Sequence, residues 1–176
     1  MSGGTGASAA ASRLPEGMSF WHPATLLATW FGTGLLPRMP GTWGSLAALP
    51  LAWVAADRFG PYGVLATGFL LLAAGLWASG RFLRRAGDRD PRPVVIDEVA
   101  GQTLACAPAG LDPVAFALAF ALFRAFDILK PWPIGAIERR LGGAAGVMAD
   151  DLAAALCTVL MIAMYFFVLE QVHVFL

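Results

Sequence analysis

The sequence predicts an all-α membrane protein: a polytopic bundle of about four to six helices, some short or re-entrant, with the charged loops clustered on one face. Three observations predict it. Apolar residues make up 58% of the 176 residues and charged residues only 14%, with a mean hydropathy of +0.67; a soluble domain carries about a quarter charged residues. Two runs, Tyr62 to Gly80 and Leu152 to Leu169, contain no charged residue, and each approaches the roughly 20 apolar residues that cross a hydrocarbon core. Finally, one up-and-down threading of the apolar runs puts almost every basic residue on the same side.

Residues 1–17 are rich in Gly, Ala and Ser and carry Arg13, with no apolar stretch like that of a signal peptide. They read as a disordered tail, leaving residues 18–176 as a single membrane-embedded domain. Phe20 to Leu35 opens on His22-Pro23 and ends on Gly32 and Gly34. Its apolar core is too short for a span, so it is expected as a helix on, or dipping into, the charged surface, with His22 an interface residue. Ser45 to Ala56 is apolar but short, flanked by Trp43 and Trp53, which suit membrane interfaces. Val99 to Ala107 is shorter still and is followed by Pro108, Gly110 and Pro113, while Val114 to Phe123 is another apolar run. Runs of about 10 to 14 residues suit core or re-entrant helices.

Threading Ser45–Ala56 up, Tyr62–Gly80 down, Val99–Ala107 up, Val114–Phe126 down and Leu152–Leu169 up brings 38–44, 81–98 and 127–151 to one side. Arg38, Arg81, Arg84, Arg85, Arg89, Arg92, Arg124, Lys130, Arg139 and Arg140 then share that side, against Arg58 alone on the other. An excess of Lys and Arg marks the cytoplasmic face. The net charge of zero gives no global basic field for nucleic acid. Cys106 and Cys157 lie in apolar runs without zinc-site spacing and read as small hydrophobes.

Four polar islands interrupt the apolar pattern, all on the basic side. In Gly32 to Ser45, glycines let backbone N–H groups approach an anion, Thr42 and Ser45 add hydroxyls, and a helix beginning near Thr42 would offer free N–H groups. A ligand-free Pro/Gly turn explains the same residues. In Asp90 to Gln102, Asp97 and Glu98 adjoin in apolar surroundings, where two carboxylates repel and lose solvation. A divalent cation relieves both, whereas capping a helix near Glu98 explains one. In Phe123 to Ile134, Asp127 sits at the end of an apolar helix stopped by Pro131 and Pro133, unfavourably for the helix dipole. Arg124, three residues away, Lys130 or a metal would offset it. In Gly142 to Leu156, Asp150 and Asp151 lead into an apolar span; capping accounts for one, and acids at bilayer depth are functional candidates. Such oxygen-rich sites suit Mg²⁺, and carboxylates beside Lys130 and arginines point to phosphoryl chemistry at a membrane surface.

The islands resemble the phosphatidylglycerophosphatase A family in Gly-Thr-Gly-x-x-Pro-x-x-Pro-Gly-Thr-Trp-Gly-Ser (32–45), Val-Ile-Asp-Glu-Val-Ala-Gly (95–101), Phe-Arg-x-Phe-Asp-Ile-Leu-Lys-Pro-Trp-Pro-Ile (123–134) and Gly-Val-Met-Ala-Asp-Asp-Leu-Ala-Ala (146–154). The resemblance implies a multi-pass enzyme of the bacterial cytoplasmic (inner) membrane, its active site facing the cytoplasm. The enzyme would convert phosphatidylglycerol phosphate to phosphatidylglycerol and inorganic phosphate with Mg²⁺. It implies Asp97, Glu98, Asp127, Asp150 and Asp151 as the metal and catalytic cluster. Lys130, Arg124 and Arg38 become substrate-binding cations, and Thr42 and Ser45 phosphate or structural contacts. Direct attack by water and an aspartyl-phosphate intermediate both remain open. A phospholipid substrate and membrane lipid are the expected partners, with no nucleic acid. The rival reading is a cation- or proton-coupled transporter using the same acids, which would place them near the bilayer midplane rather than at one end. No Arg stands six residues after either Cys, and His22 and His173 lie near opposite termini, so cysteine- and histidine-nucleophile phosphatases fit poorly.

Overall fold

The computed structural model describes residues 14–87, 92–141 and 143–175. Residues 1–13 of the expected tail, Asp88 to Pro91 and Gly142 lie outside them, as do the side chains of Arg139, Arg140 and His173. The described chain is helical: α1 (Pro23–Ala28), α2 (Pro40–Ala86), α3 (Ile96–Ala105), α4 (Pro113–Leu129), α5 (Ile134–Arg140) and α6 (Gly143–Phe175), with 3-10 turns at Thr33–Leu35 and Ala107–Ala109. No strand occurs among the described residues. This is the all-α membrane bundle expected. α2 and α6 are each long and apolar enough to cross a membrane.

α2 is two helices joined at Gly60, whose φ of 64° and ψ of −162° belong to no helix and to the region glycine tolerates best. Pro61 follows, and its ring suits the start of a new helix. The arms fold back on each other. Ala48 and Ala78 share one buried cluster, though thirty residues of straight helix would separate them by about 45 Å. The chain then alternates in direction. An added Cβ at Gly44 would sit 3.1 Å from Val95, and one at Gly75 would sit 3.2 Å from Ile96, whereas Gly68 lies against Leu104. At the far end Ala56 and Val64 cluster with Cys106, Ala115 and Ile162. The five apolar segments therefore run in the alternating order expected from the charges.

α3 is the centre of the bundle. Nine of its ten residues are buried, Glu98 excepted, packed by both α2 arms, α4 and α6. Ten residues rise about 15 Å, half the roughly 30 Å of a hydrocarbon core, so α3 is enclosed by protein rather than crossing alone. Small residues make this possible: the clusters are built largely of alanine, which lets helix backbones approach closely. Hydroxyls of Thr103 and Thr158 donate to carbonyls four residues back, satisfying them without water. Outward, Phe69, Leu70, Leu160, Met164 and Phe167 are exposed, the surface a lipid solvent favours.

Residues 20–35 differ from the single helix expected there. α1 ends after six residues because Trp30, Phe31 and Gly32 adopt left-handed backbone in succession, which no α-helix accommodates. The segment still packs inward, with Ala24 and Ala28 in a buried cluster and the Val95 N–H donating to the Ala28 carbonyl at 2.8 Å.

Candidate active site

Four chain segments end at the same end of the bundle, and each brings one polar island. α3 begins at Ile96, so Asp97 and Glu98 occupy its first turn. α2 begins at Pro40, with Gly41, Thr42 and Ser45 in its first two turns. α4 ends at Leu129, with Arg124 and Asp127 in its last turns and Lys130 as its left-handed cap. α6 begins at Gly143, seven residues before Asp150. That last boundary corrects the sequence reading: Asp150 and Asp151 lie inside a helix, so capping accounts for neither.

Asp97, Glu98 and Asp151 each offer a carboxylate oxygen within 4.8 Å of the others. Asp97 and Asp151 are buried and Glu98 is partly so. Asp97 Oδ1, Glu98 Oε2 and Asp151 Oδ2 are buried oxygens without a hydrogen-bond partner, an arrangement that a bound cation relieves. The second tier carries the cations. Arg124 Nη1 lies 2.6 Å from Asp127 Oδ2 and 3.4 Å from Ser45 Oγ, and Ser45 Oγ donates to the Gly41 carbonyl at 3.0 Å. Lys130 Nζ donates to Asp150 Oδ2 at 2.6 Å. All five expected acids, with Arg124, Lys130, Thr42 and Ser45, thus gather at one end. Arg38 is exposed in the bend before α2, and among the described residues it makes no ion pair with these acids.

The electrostatics of α3 follow from this crowding. Burial, and after it the charges of Glu98 and Asp151, pushes the Asp97 carboxyl well above its ordinary value. Burial likewise raises Glu98 from 4.5 to about 7, while a hydrogen bond from Asp97 and the Arg124 charge pull it back. Asp97, Glu98 and Asp151 form a hard, oxygen-only donor set of the kind that binds divalent cations, while Asp127 and Asp150 pair with Arg124 and Lys130.

Two glycines of the islands, Gly41 and Gly101, have a packing role that the sequence did not reveal. A Cβ at Gly41 would fall on Glu98 Oε1, 2.9 Å from its Cδ and 3.3 Å from Arg124 Nη1. At Gly101 a Cβ would sit 2.8 Å from the Phe123 ring and 3.1 Å from the Asp151 carbonyl. These glycines let the acids of α3 and α6 approach the neighbouring helices. For Gly101 the available signal was glycine inside an apolar helix, which costs about 1 kcal/mol against alanine and so marks close approach.

Residues 26–166 match the family described as Phosphatidylglycerophosphatase A. The Phosphatidylglycerophosphatase A of Haemophilus influenzae is 37% identical over 147 residues, covering 82% of this chain and 90% of that protein. The protein of the same name from Escherichia coli K12 is 36% identical over 137 residues, 76% of each chain. A Bacteroides thetaiotaomicron protein, provisionally named a phosphatidylinositol-3-phosphatase, is 37% identical over 146 residues, 78% of this chain and 90% of its own. No solved structure matches.

Proposed function

Because the chain belongs to the phosphatidylglycerophosphatase A family and is a phosphatase, we propose that it hydrolyses phosphatidylglycerol phosphate to phosphatidylglycerol and inorganic phosphate, with Mg²⁺ held by its acid cluster. The observation that carries this reading is the meeting of Asp97, Glu98 and Asp151 within 4.8 Å, beside Arg124 and Lys130, at one end of an apolar bundle. A transporter would need such acids along a path between its two faces; here they gather at the end of the bundle that also holds most of the described basic residues. The substrate is a lipid whose phosphate lies at the membrane surface, and the site faces that surface, on the cytoplasmic side by the distribution of Lys and Arg.

Asp97, Glu98 and Asp151 are the residues that would hold Mg²⁺, which when bound polarises the phosphoryl group and lowers the pKa of a bound water. Arg124 and Lys130 neutralise charge on the non-bridging phosphate oxygens. Ser45 and Asp127 hold the Arg124 guanidinium in place from two sides, and Thr42 offers its hydroxyl to the phosphate. A carboxylate of the cluster takes the proton of the attacking water as its oxygen bonds to phosphorus. The bond from phosphorus to the lipid oxygen breaks, and that oxygen takes up the proton now held by the carboxylic acid, so the lipid alcohol leaves neutral and the carboxylate is restored. Residues 18–176 act as one membrane-embedded unit in this reading.

The test is phosphate release from phosphatidylglycerol phosphate by detergent-purified protein with Mg²⁺, with chelator, and with Asp97→Asn. Release that needs Mg²⁺ and disappears in the variant is expected. Phosphatidylinositol 3-phosphate is the comparison substrate, because one relative bears that name; faster turnover of it would overturn the proposed substrate. Release that persists unchanged in chelator would overturn the metal assignment.

A further inference from the structure

A small cavity bordered by two arginines lies apart from the acid cluster. It is about 100 Å³ in volume and is lined by Gly17, Met18, Ser19, His22, Ala24, Thr25, Arg81 and Arg85. None of the five acids borders it, and among the described residues no carboxylate does. Arg81 and Arg85 stand one helical turn apart near the end of α2, both exposed, while the loop before α1 closes the other side. Arg85 Nη1 donates to the Gly17 carbonyl at 3.4 Å, so the guanidinium already leans across the opening. Thr25 is fully buried, and its Oγ1 has no hydrogen-bond partner. Thr25 borders the cavity, and an unsatisfied buried hydroxyl beside two arginines calls for a polar partner.

The depth of the cavity narrows the ligand. Trp77 precedes Arg81 by four residues, is half exposed, and lies under the Arg81 guanidinium at 6.0 Å. Exposed tryptophans on membrane helices settle at headgroup level. One face of α2 therefore presents Trp77, Arg81 and Arg85 in sequence from the edge of the apolar surface outward. The volume suits one tetrahedral oxyanion and excludes acyl chains, which the exposed apolar flank of α2 would take instead.

We propose that this cavity binds a phosphate group, carried by an anionic phospholipid or free in solution, at a site separate from the acid cluster. Arg81 and Arg85 neutralise it, and Ser19 and Thr25 hydrogen-bond its oxygens. Each basic residue strengthens binding to anionic lipid about 5-fold, so losing both weakens it about 25-fold.

The full chain in neutral detergent is tested with phosphatidylserine, which is neither substrate nor product of the proposed reaction, against phosphatidylcholine. Native mass spectrometry counts the lipid retained, and thermal unfolding with inorganic phosphate forms a separate arm. Wild type and Arg81→Lys/Arg85→Lys are expected to retain phosphatidylserine. Arg81→Gln/Arg85→Gln should bind it about 25-fold more weakly, Thr25→Val should weaken it measurably, and phosphate release in neutral micelles should be unchanged in all three variants. An effect seen with inorganic phosphate alone, and lost in the Gln variant, would assign the cavity to the free ion. Equal lipid retention by wild type and both uncharged variants, with no difference in the phosphate arm, would overturn the proposal. Because the activity is read in the same samples, failure of this site is distinguishable from failure of the proposed reaction.

Discussion

Replacing Gly41 by alanine separates the geometry of the site from the stability of the fold. The new Cβ would sit 2.9 Å from Glu98 Cδ and nearer still to Oε1, with Arg124 Nη1 at 3.3 Å. Ordinary carbon–carbon contacts lie at about 3.5–4.0 Å, so the carboxylate must retreat by about 1 Å. It cannot swing freely, because Asp97 and Asp151 hold oxygens within 4.8 Å of its own. A misplacement of that size costs about 100-fold in rate, or about 2.7 kcal/mol of barrier. Alanine is the better helix former by about 1 kcal/mol, which opposes the strain in the folded state. Phosphate release under saturating Mg²⁺ should fall about 100-fold while the unfolding temperature stays within a few degrees of wild type. The reasoning fails if Gly41→Ala keeps more than a third of wild-type activity. It fails equally if activity and unfolding temperature collapse together, since the strain would then lie in the fold rather than in Glu98.

Four further outcomes follow from the same residues. In chelator, Glu98 holds a proton in the folded protein up to about pH 7 but loses it near 4.5 when unfolded, so stability should fall as pH rises from about 4.5 to 7; burial raises Asp97 and Asp151 in the same direction, and thermal unfolding with chelator checks this, a rise across that window refuting it. Because a metal displaces that proton, the stabilisation by Mg²⁺ should grow over the same window. Arg124→Lys cannot reproduce a guanidinium nitrogen that meets Asp127 at 2.6 Å and Ser45 at 3.4 Å; kcat/KM should drop at least 10-fold with little change in unfolding temperature. Lys130→Gln should lower turnover 100-fold or more, with Lys130→Arg recovering part of it, as phosphate-release kinetics would show.

The acids were legible in the sequence because charge is conspicuous against an apolar background: Asp97, Glu98, Asp127, Asp150 and Asp151 each interrupt or border a run that otherwise has none. The reversal between the arms of α2 was legible too, from the break carrying Arg58 between the apolar runs Ser45–Ala56 and Tyr62–Gly80. Other features depend on distances between remote segments, which periodicity does not carry. The register of Asp150 and Asp151 was one. Nothing before them stops a helix between Gly143 and Met148 except glycine content, and packing of Val147 and Met148 against α2 overrides that weak bias. The left-handed run Trp30-Phe31-Gly32 was another, since Trp and Phe rarely take such backbone and only the glycine hinted at it. Gly41 and Gly101 look like ordinary small residues until Glu98, Phe123 and Asp151 are brought against them.

The burial of α3 also bears on how the protein is made. A nascent segment of ten residues carrying Asp97, Glu98, Gln102 and Thr103 is too short and too polar to partition into lipid by itself. Its neighbours α4 and α6 emerge from the ribosome later, and only they complete its enclosure. The first hairpin must therefore wait, with α3 held at the membrane surface or inside the insertion machinery, until roughly fifty more residues have been synthesised. Chains that terminate before α6 would lack Asp150 and Asp151 and leave the buried flank of α3 without its partner. Such fragments should be cleared by quality-control proteases, so this enzyme is assembled whole or discarded.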